Sequence, residues 1–408
     1  MSNALKRMLL VNMACMGAST FFIFLNPYLL AHDLQEYHVG LCEAGFWIIS
    51  VILQPWLGPQ LDKRGRMIFL RSGVVLLIAA ALGYAFVPPH VRFIFPLRVL
   101  QGAGFALYLT SAWAWISDHA PPDKMHTIFG YFGLAALAGS IVGPVAASLI
   151  RGQHAPYDDR HVFMAAAGLL LLALVLLLTL HDAVRDVVKE GESGGSLWSL
   201  ARRPHLRGPL MGSLSFGLAV GSLFAFAAAY LQSIGVQSVP ALFVVLTLVA
   251  GAGRAFCGRL SARFGAANLV PPCLLSLALG SGGLGYLQWM IPPPIGLVLA
   301  IGAVAGVGYG LVYPLLNALA YERLEAHERG RGVSLVAACI DLGNAGGAAL
   351  AGAVAHRYGE GDMFLAMAVL VALTAVLSRL SDRPERPAPV AEVGSSPAEV
   401  GFSPENAG

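Results

Sequence analysis

Charged residues are scarce in this 408-residue sequence, in which Asp, Glu, Lys and Arg together make up 12%. Soluble domains carry about twice that proportion, so a water-soluble protein of ordinary composition is excluded. The phosphate-loop pattern G-x-x-x-x-G-K-[S/T] and the zinc-protease pattern H-E-x-x-H are both missing. The sequence therefore predicts no enzyme, no cofactor and no metal site, and its formal net charge of +3 gives no reason to expect a nucleic-acid partner.

Cysteine is also sparse, with five residues in the whole chain. They are Cys15, Cys42, Cys257, Cys273 and Cys339. All of them fall inside apolar runs, and their spacing fits neither a disulfide framework nor a metal site. We interpret them as small packing residues.

Apolar residues are abundant, at 57% of the chain with a mean hydropathy of +0.69. A helix needs about 20 apolar residues to cross a bilayer core of roughly 30 Å, and runs of that length recur throughout. The predicted spans lie near 7–31, 40–61, 67–87, 91–116, 126–150, 161–181, 207–231, 238–260, 268–291, 294–319, 330–355 and 361–381. The sequence therefore predicts an all-α integral membrane protein with about twelve transmembrane helices.

The basic residues are distributed unevenly between alternate connections. Twenty Lys and Arg residues fall at one set of connections and chain ends, whereas the other set carries only Arg92, Arg151, Arg160 and Arg357. Because Lys and Arg are enriched in cytoplasmic loops, we expect both termini to be cytoplasmic, in a multi-pass protein of the inner or plasma membrane.

The polar segments divide the chain into four parts. Residues 183–206 contain G-E-S-G-G-S and R-R-P-H, a composition typical of a flexible linker. The linker separates a six-span half, 1–182, from a second six-span half, 207–381. Residues 382–408 are rich in Pro, Ser and Glu and predict a disordered cytoplasmic tail.

The two halves share glycine patterns. The segment from Gly58 to Gly65 recurs as Gly258 to Gly265, each between the second and third spans of its half. Two further pairs of glycines follow the same order, Gly102 and Gly104 with Gly306 and Gly308, and Gly139 and Gly143 with Gly343 and Gly347. Two six-span repeats of this kind predict a pseudo-symmetric protein in which a site lies between the halves.

From Lys6 to Leu380 the sequence resembles the major facilitator superfamily. The motifs are G-x-x-x-D-K-x-G-R from Gly58 to Arg66, R-V-L-Q-G-A-G-F-A from Arg98, G-S-I-V-G-P from Gly139, and Y-G-L-V-Y-P-L-L-N from Tyr309. The resemblance implies a transporter with alternating access. It also implies that Gly58, Asp62, Gly65 and Arg66 form a cytoplasmic latch, in which Asp62 accepts hydrogen bonds from a helix N-terminus and Arg66 pairs with a carboxylate.

The fifth-span motif resembles one associated with exporters. Gly139 and Gly143 are spaced for close helix contact, and Pro144 favours a kink. Ala147 and Ser148 stand where two further small residues, usually glycines, would complete the pattern.

Asp341 is the acid placed deepest in a predicted span. A charged side chain at the bilayer centre costs about 2.5 to 3.5 kcal/mol on insertion scales, so it needs a partner or a cavity. We predict that Asp341 carries a coupling proton or binds substrate. The alternative is a packing carboxylate bonded to a neighbour such as Tyr309.

Arg98 and Glu43 lie at similar depths in the fourth and second spans. They are candidates for proton coupling or substrate binding, and the alternative is a structural ion pair between neighbouring helices.

Arg254 is expected to reach the cytoplasmic interface. Five residues are predicted to line a substrate cavity, with packing as the alternative for each aromatic: Tyr108, Tyr309, Tyr313, Asn317 and Asn344.

These observations predict a secondary transporter, working as a monomer, that expels a small organic molecule in exchange for protons. One alternative is proton-coupled import of a metabolite such as a carboxylate, with Arg98 as its anion partner. The other is a membrane receptor or scaffold that transports nothing.

Overall fold

A computed structural model describes residues 2–121, 124–152, 159–182, 197–236, 238–324 and 328–382. Twelve helical segments in these ranges are long and apolar enough to cross a bilayer, which confirms the predicted number of spans. The first span consists of α1 (Asn3–Phe21), a 3₁₀ turn (Phe22–Phe24) and α2 (Leu25–Ala31). The other spans of the first half are α3 (Glu36–Arg64), α4 (Arg66–Phe86), α5 (Val91–His119), α6 (Met125–Arg151) and α7 (Asp159–Leu178).

The second half repeats this arrangement after a short helix, α8 (Leu197–Ala201), and a 3₁₀ turn (Pro204–Leu206). Its spans are α9 (Arg207–Ser233), α10 (Val239–Phe264), α11 (Ala266–Tyr286), α12 (Ile295–Glu322), α13 (Arg329–Tyr358) and α14 (Glu360–Leu380). Residues 183–196 of the expected linker and residues 383–408 of the expected tail lie outside the described residues.

The even number of spans places both ends of the helical domain on one side. We call this side the terminal face and the other side the opposite face. On the terminal face, Gly65 and Gly265 separate the second and third spans of each half with φ of 85° and 78°. Glycine adopts positive φ without a steric penalty, so each glycine ends one helix and lets the next begin at once.

Equivalent glycines pack equivalent helices in the two halves. A Cβ atom at Gly306 of α12 would lie 2.6 Å from the Leu246 carbonyl oxygen of α10, and Gly102 of α5 lies in the same way against Phe46 of α3. Gly102 and Gly306 are 204 residues apart, and Phe46 and Leu246 are 200 apart. The sequence repeat is therefore also a repeat of backbone contacts.

A second pair of glycine contacts lies between the first and fifth spans of each half. Gly139 of α6 packs against the α1 backbone at Gly17, and Gly343 of α13 packs against the α9 backbone at Gly217. Small residues at such positions let helices approach closely enough for dispersion contacts along the whole backbone.

The halves meet along two lines of contact. In the first seam α3 packs against α13, and in the second seam α6 packs against α10. A Cβ atom at Gly40 would lie 2.5 Å from the Ala348 carbonyl oxygen and 3.0 Å from the Gly352 Cα in the first seam. In the second seam a Cβ atom at Gly251 would meet only the Leu137 Cδ1 atom, at 3.1 Å.

Candidate functional site

The Asp341 carboxylate lies in the first seam, where side chains of the other half hold it. One of its oxygens, Oδ2, accepts a hydrogen bond of 2.8 Å from the Ser50 hydroxyl and another of 2.8 Å from the Gln54 amide. We call Asp341, Ser50 and Gln54 the central cluster. Hydrogen bonds to an ionised acceptor are among the stronger ones in proteins, so the cluster joins α13 to α3.

The central cluster lies deep in the membrane. Asp341 is 12 residues from the first residue of α13, or about 18 Å along the axis, and Ser50 is midway along α3. The side-chain hydrogen bonds of Asp341 come from the first half and not from Tyr309, the neighbour named in the packing alternative. Asp341 is therefore placed where its surroundings depend on how the two halves meet.

A second polar group, the outer cluster, consists of Arg98, Glu43, Asn26, Gln101 and Tyr84. The Arg98 guanidinium pairs with the Glu43 carboxylate and donates a hydrogen bond of 2.9 Å to Gln101. Gln101 also accepts a hydrogen bond from the Tyr84 hydroxyl at 2.9 Å. Arg98 is only 4% exposed, so its charge is satisfied inside the first half, as the structural alternative predicted.

Three polar contacts join the halves near the opposite face. The Asn26 amide donates to Glu43 at 2.9 Å and to the Ala225 carbonyl of α9 at 2.6 Å. Further out, Arg151 donates to Gln232 at 2.8 Å. The third contact lies between Glu36 and His356, at 3.2 Å. These contacts hold the halves together at the opposite face in this conformation.

An aromatic group, the aromatic wall, lies between α9 and α12 of the second half. It consists of Phe216 and Phe224 on α9 with Tyr309 and Tyr313 on α12. Tyr309 stacks on Phe216 with ring centroids 6.2 Å apart, and it contacts Phe224 at 5.5 Å. Tyr313 is 43% exposed. Tyr309 and Tyr313 lie 13 and 9 residues from the terminal-face end of α12, about 20 and 14 Å along its axis, and Asp341 lies about 18 Å from the same face on α13. The wall therefore lies at the depth of the central cluster.

Asn317 lies one turn beyond Tyr313 on α12. Its amide donates to the Tyr313 carbonyl at 2.9 Å, and its side chain is partly exposed. It therefore continues the same helix face toward the terminal face, and its place in a substrate cavity stays a prediction.

Two predicted cavity residues are buried instead. Tyr108 is 0% exposed and donates its hydroxyl proton to Asn12 at 2.9 Å. Asn344 is 2% exposed, and its backbone packs against Gly217 and Gly221 of α9. Both predictions were wrong because the rotation of each helix turns these residues toward a neighbour within the same half, where they pack.

The turn at Gly65 is held by two carboxylates, one on α5 and one four residues after the end of α7. Arg66 is buried and its Nε atom pairs with Asp118 of α5 at 3.2 Å, as the resemblance implied. The N-terminus of α4 is capped by Asp182, which accepts hydrogen bonds of 3.1 Å from the backbone N–H groups of Arg66 and Met67. The side chain of Asp62, predicted to be the acceptor at a helix N-terminus, lies outside the described part of the structure.

The remaining predicted latch and hinge residues have distinct surroundings. Gly58 has open space beside it, whereas Gly139 and Gly143 lie directly against α1. Pro144 is inside α6, which continues from Met125 to Arg151. The close helix contact expected of this motif is therefore made with α1, in the same half.

The sequence analysis did not identify the hydrogen-bond partners of the predicted site residues. Ser50 and Gln54 are polar residues four positions apart in an apolar span, which puts them on one helix face, and that spacing could have revealed them. Asn26 and Gln101 are likewise amides within apolar runs. Asp182 had no comparable signal, because it lies at the end of the sixth span, beside the polar linker.

Twelve spans in two related halves, with charged groups buried where the halves meet, define a membrane transporter rather than an enzyme. The sequence comparison is consistent with this class: the chain belongs to the Major Facilitator Superfamily, which it matches over residues 8–327 and 284–404.

Related proteins include two with names that refer to drug resistance. The chain is 25% identical to the multidrug resistance protein MdtG of Klebsiella pneumoniae (strain 342) over 368 residues, covering 88% of this chain and 86% of that protein. It is 23% identical to the multi-drug resistance efflux pump PmrA homolog of Lactococcus lactis subsp. lactis (strain IL1403), covering 79% and 80% of the two chains. The crystal structure of the nucleoside transporter NupG shares the fold, with a TM-score of 0.79 and 14% identity over 94% of this chain and 100% of that one.

Proposed function

We propose that this protein is a proton-coupled exporter of small organic molecules, with Asp341 as the residue that binds the coupling proton. The observation that carries the proposal is the position of the Asp341 carboxylate in the seam between the halves, with both hydrogen-bond donors supplied by the other half. Any movement that separates α3 from α13 changes the surroundings of the carboxylate. Proton binding at Asp341 and the equilibrium between conformations are then linked.

The described conformation is closed at the opposite face. If the terminal face is cytoplasmic, as the Lys and Arg distribution predicts, the transporter is closed to the exterior and accessible from the cytoplasm. The exposure of Tyr313 supports this assignment, because Tyr313 is nine residues from the terminal-face end of its helix and Asp341 is twelve residues from that end of α13. A substrate would enter along the aromatic wall from the cytoplasm.

The turn at Gly65 fits the role of a latch for the other conformation. Asp182 and the Arg66–Asp118 pair fasten α4 to α5 and to the end of α7 in the first half. We propose that this fixed turn is the surface against which the second half closes when the cavity opens outward. Lys63 and Arg64 end α3 beside it and bring positive charge to the same place.

The structure supports export over the alternative function, which is import of a carboxylate substrate held by Arg98. The import alternative needs an arginine that a substrate can reach, whereas Arg98 is buried and paired with Glu43. The names of the relatives MdtG and PmrA homolog are consistent with export of organic compounds. Detection of transport would exclude the scaffold alternative, which predicts none.

The test is flux into proteoliposomes containing the purified full chain, with an imposed pH gradient and a broad panel of organic compounds. We expect gradient-driven accumulation by the wild type. Asp341→Asn keeps the size of the side chain and removes its proton, so accumulation should be lost while exchange of compound without a gradient continues.

The matched control is Asp33→Asn. Asp33 is an exposed loop residue with φ of 64°, a conformation that asparagine adopts readily, so transport should be unchanged. Accumulation at the wild-type rate by Asp341→Asn would show that Asp341 is a packing residue. Absence of flux for every compound with the wild type would favour the scaffold alternative.

A further inference from the structure

Arg254 lies inside the transporter and faces α12. It is on the same face of α10 as Leu246 and Ala250, which pack against Gly306 and Gly310 of α12. Its position 10 residues before the end of α10 corresponds to a depth of about 15 Å. The contact that the structure gives Arg254 is with α12, and its expected reach to the cytoplasmic interface stays a prediction.

The contact that Arg254 makes is aromatic. Its guanidinium carbon lies 5.8 Å from the centroid of the Tyr309 ring, a distance typical of cation–π contacts. Within the part of the chain that the structure describes, Arg254 has no ion-pair partner, while Asp341 is hydrogen-bonded to Ser50 and Gln54. Arg254 is also exposed. A permanent cation at this depth is thus left available for a group that enters from outside the protein.

The neighbourhood of Arg254 determines what else that group should carry. Tyr309 is backed by Phe216 and Phe224, and Tyr313 adds an exposed ring one turn away on α12. Stacked rings of this kind provide flat apolar area for another aromatic group. An arginine binds carboxylates and phosphates through paired N–H donors.

We propose that the substrates of this transporter are aromatic organic anions, with the acidic group at Arg254 and the ring against Tyr309 and Tyr313. This inference rests on the proposed transport function and adds the substrate class to it. Arg98 has a carboxylate partner, Glu43, inside the protein. Arg254 has no such partner among the described residues. A ligand anion supplies the missing partner, and removing water from the contact strengthens it.

The test uses three compounds with one aromatic body: naphthalene-2-carboxylate, naphthalene-2-carboxamide and naphthalen-2-ylmethylammonium. Binding to the purified full chain is measured by calorimetry or by displacement of a radiolabelled compound. We expect the wild type to bind the carboxylate about tenfold or more tightly than the amide, the effect of one charge-assisted contact. The ammonium compound should bind most weakly.

Three variants determine whether Arg254 is responsible. Arg254→Gln should lower affinity for the carboxylate to that for the amide and leave the amide unchanged, and Arg254→Lys should retain part of the preference. Arg259→Gln removes an exposed charge further along α10 and should behave as the wild type. An unchanged preference in Arg254→Gln, tightest binding of the ammonium compound, or no binding of the three by the wild type would each overturn the proposal.

The transport experiment distinguishes this failure from failure of the proposed function. Gradient-driven flux of some other compound, with no preference for the carboxylate in the naphthalene series, would leave a proton-coupled transporter and reject aromatic anions as its substrates.

Discussion

The two seams between the halves have different chemistry. In the first seam the Asp341 carboxylate accepts hydrogen bonds from Ser50 and Gln54. In the second seam the residue equivalent to Asp341, at the same spacing of 204 that relates Gly102 to Gly306, is Leu137, whose side chain faces Gly251. In the proposed mechanism, a proton acts on the first seam directly and on the second only through movement of the halves.

The residues opposite Asp341 and Leu137 differ as well. Gln54 of α3 and Arg254 of α10 are equivalent at the spacing of 200 that relates Phe46 to Leu246. Gln54 donates to Asp341 across the first seam, whereas Arg254 lies over Tyr309 within the second half. One member of this pair joins the halves, and the other is the proposed binding residue for a ligand anion.

Among the variants that compare the two seams, the largest expected effect on transport comes from adding one methyl group to the first seam. In Gly40→Ala the new Cβ atom would meet the backbone of α13 at Ala348 and Gly352, which cannot move aside. Such overpacking costs roughly 1 to 3 kcal/mol, a shift of roughly 5- to 150-fold away from the closed opposite face. We expect gradient-driven transport to fall about tenfold or more.

The matched control is Gly251→Ala in the second seam. Its Cβ atom would meet only the Leu137 Cδ1 atom, which can rotate away. Transport should therefore remain within about twofold of the wild-type rate. Equal losses in the two alanine variants would contradict the difference between the seams.

An intermediate effect is expected when the hydrogen bond between Gln54 and Asp341 is isolated by a double-mutant cycle. The free energy of unfolding in detergent is measured for Gln54→Ala, Asp341→Ala and the double variant. A hydrogen bond to a charged group predicts a coupling energy of about 1 to 3 kcal/mol. The same cycle with Leu137→Ala in place of Gln54→Ala should be additive, and a coupling of similar size there would mean that the cycle does not report the hydrogen bond.

The smallest effect is expected for transport by Leu137→Ala. The substitution removes apolar contact from the second seam but no charge and no hydrogen bond, and Leu137 is only partly buried. We expect less than a threefold reduction in the transport rate, roughly the effect of a lost partial contact. Leu134→Ala, at a residue 60% exposed on the same helix, provides the baseline, and complete loss of transport in Leu137→Ala alone would give the second seam a role beyond packing.

The sequence was sufficient for features that depend on distance along the chain. The twelve spans follow from the length of apolar runs. Similar depth offered the Arg98–Glu43 pair as an alternative, and the structure contains that pair, with each residue seven positions from the opposite-face end of its helix. Glycine positions in the two halves could be matched by spacing alone, and the structure places equivalent pairs in equivalent contacts.

Features that depend on helix rotation could not be obtained in this way. Ser50 and Asp341 are 291 residues apart, and their contact requires α3 and α13 to face each other across the halves. Tyr108 and Asn344 have suitable chemistry for a cavity but are turned into helix contacts. A single sequence contains the depth of each residue but not the direction in which it points.

The change in spacing from 200 to 204 has a consequence for the ancestry of the chain. The third spans, α4 and α11, are offset by 200 residues at both ends, and the fourth spans, α5 and α12, begin 204 apart. The connection between them has four residues in the first half, 87–90, and eight in the second, 287–294. A duplicated six-helix unit that later gained or lost four residues at this one connection would have kept every inherited glycine contact in register, because the change in length fell between two helices.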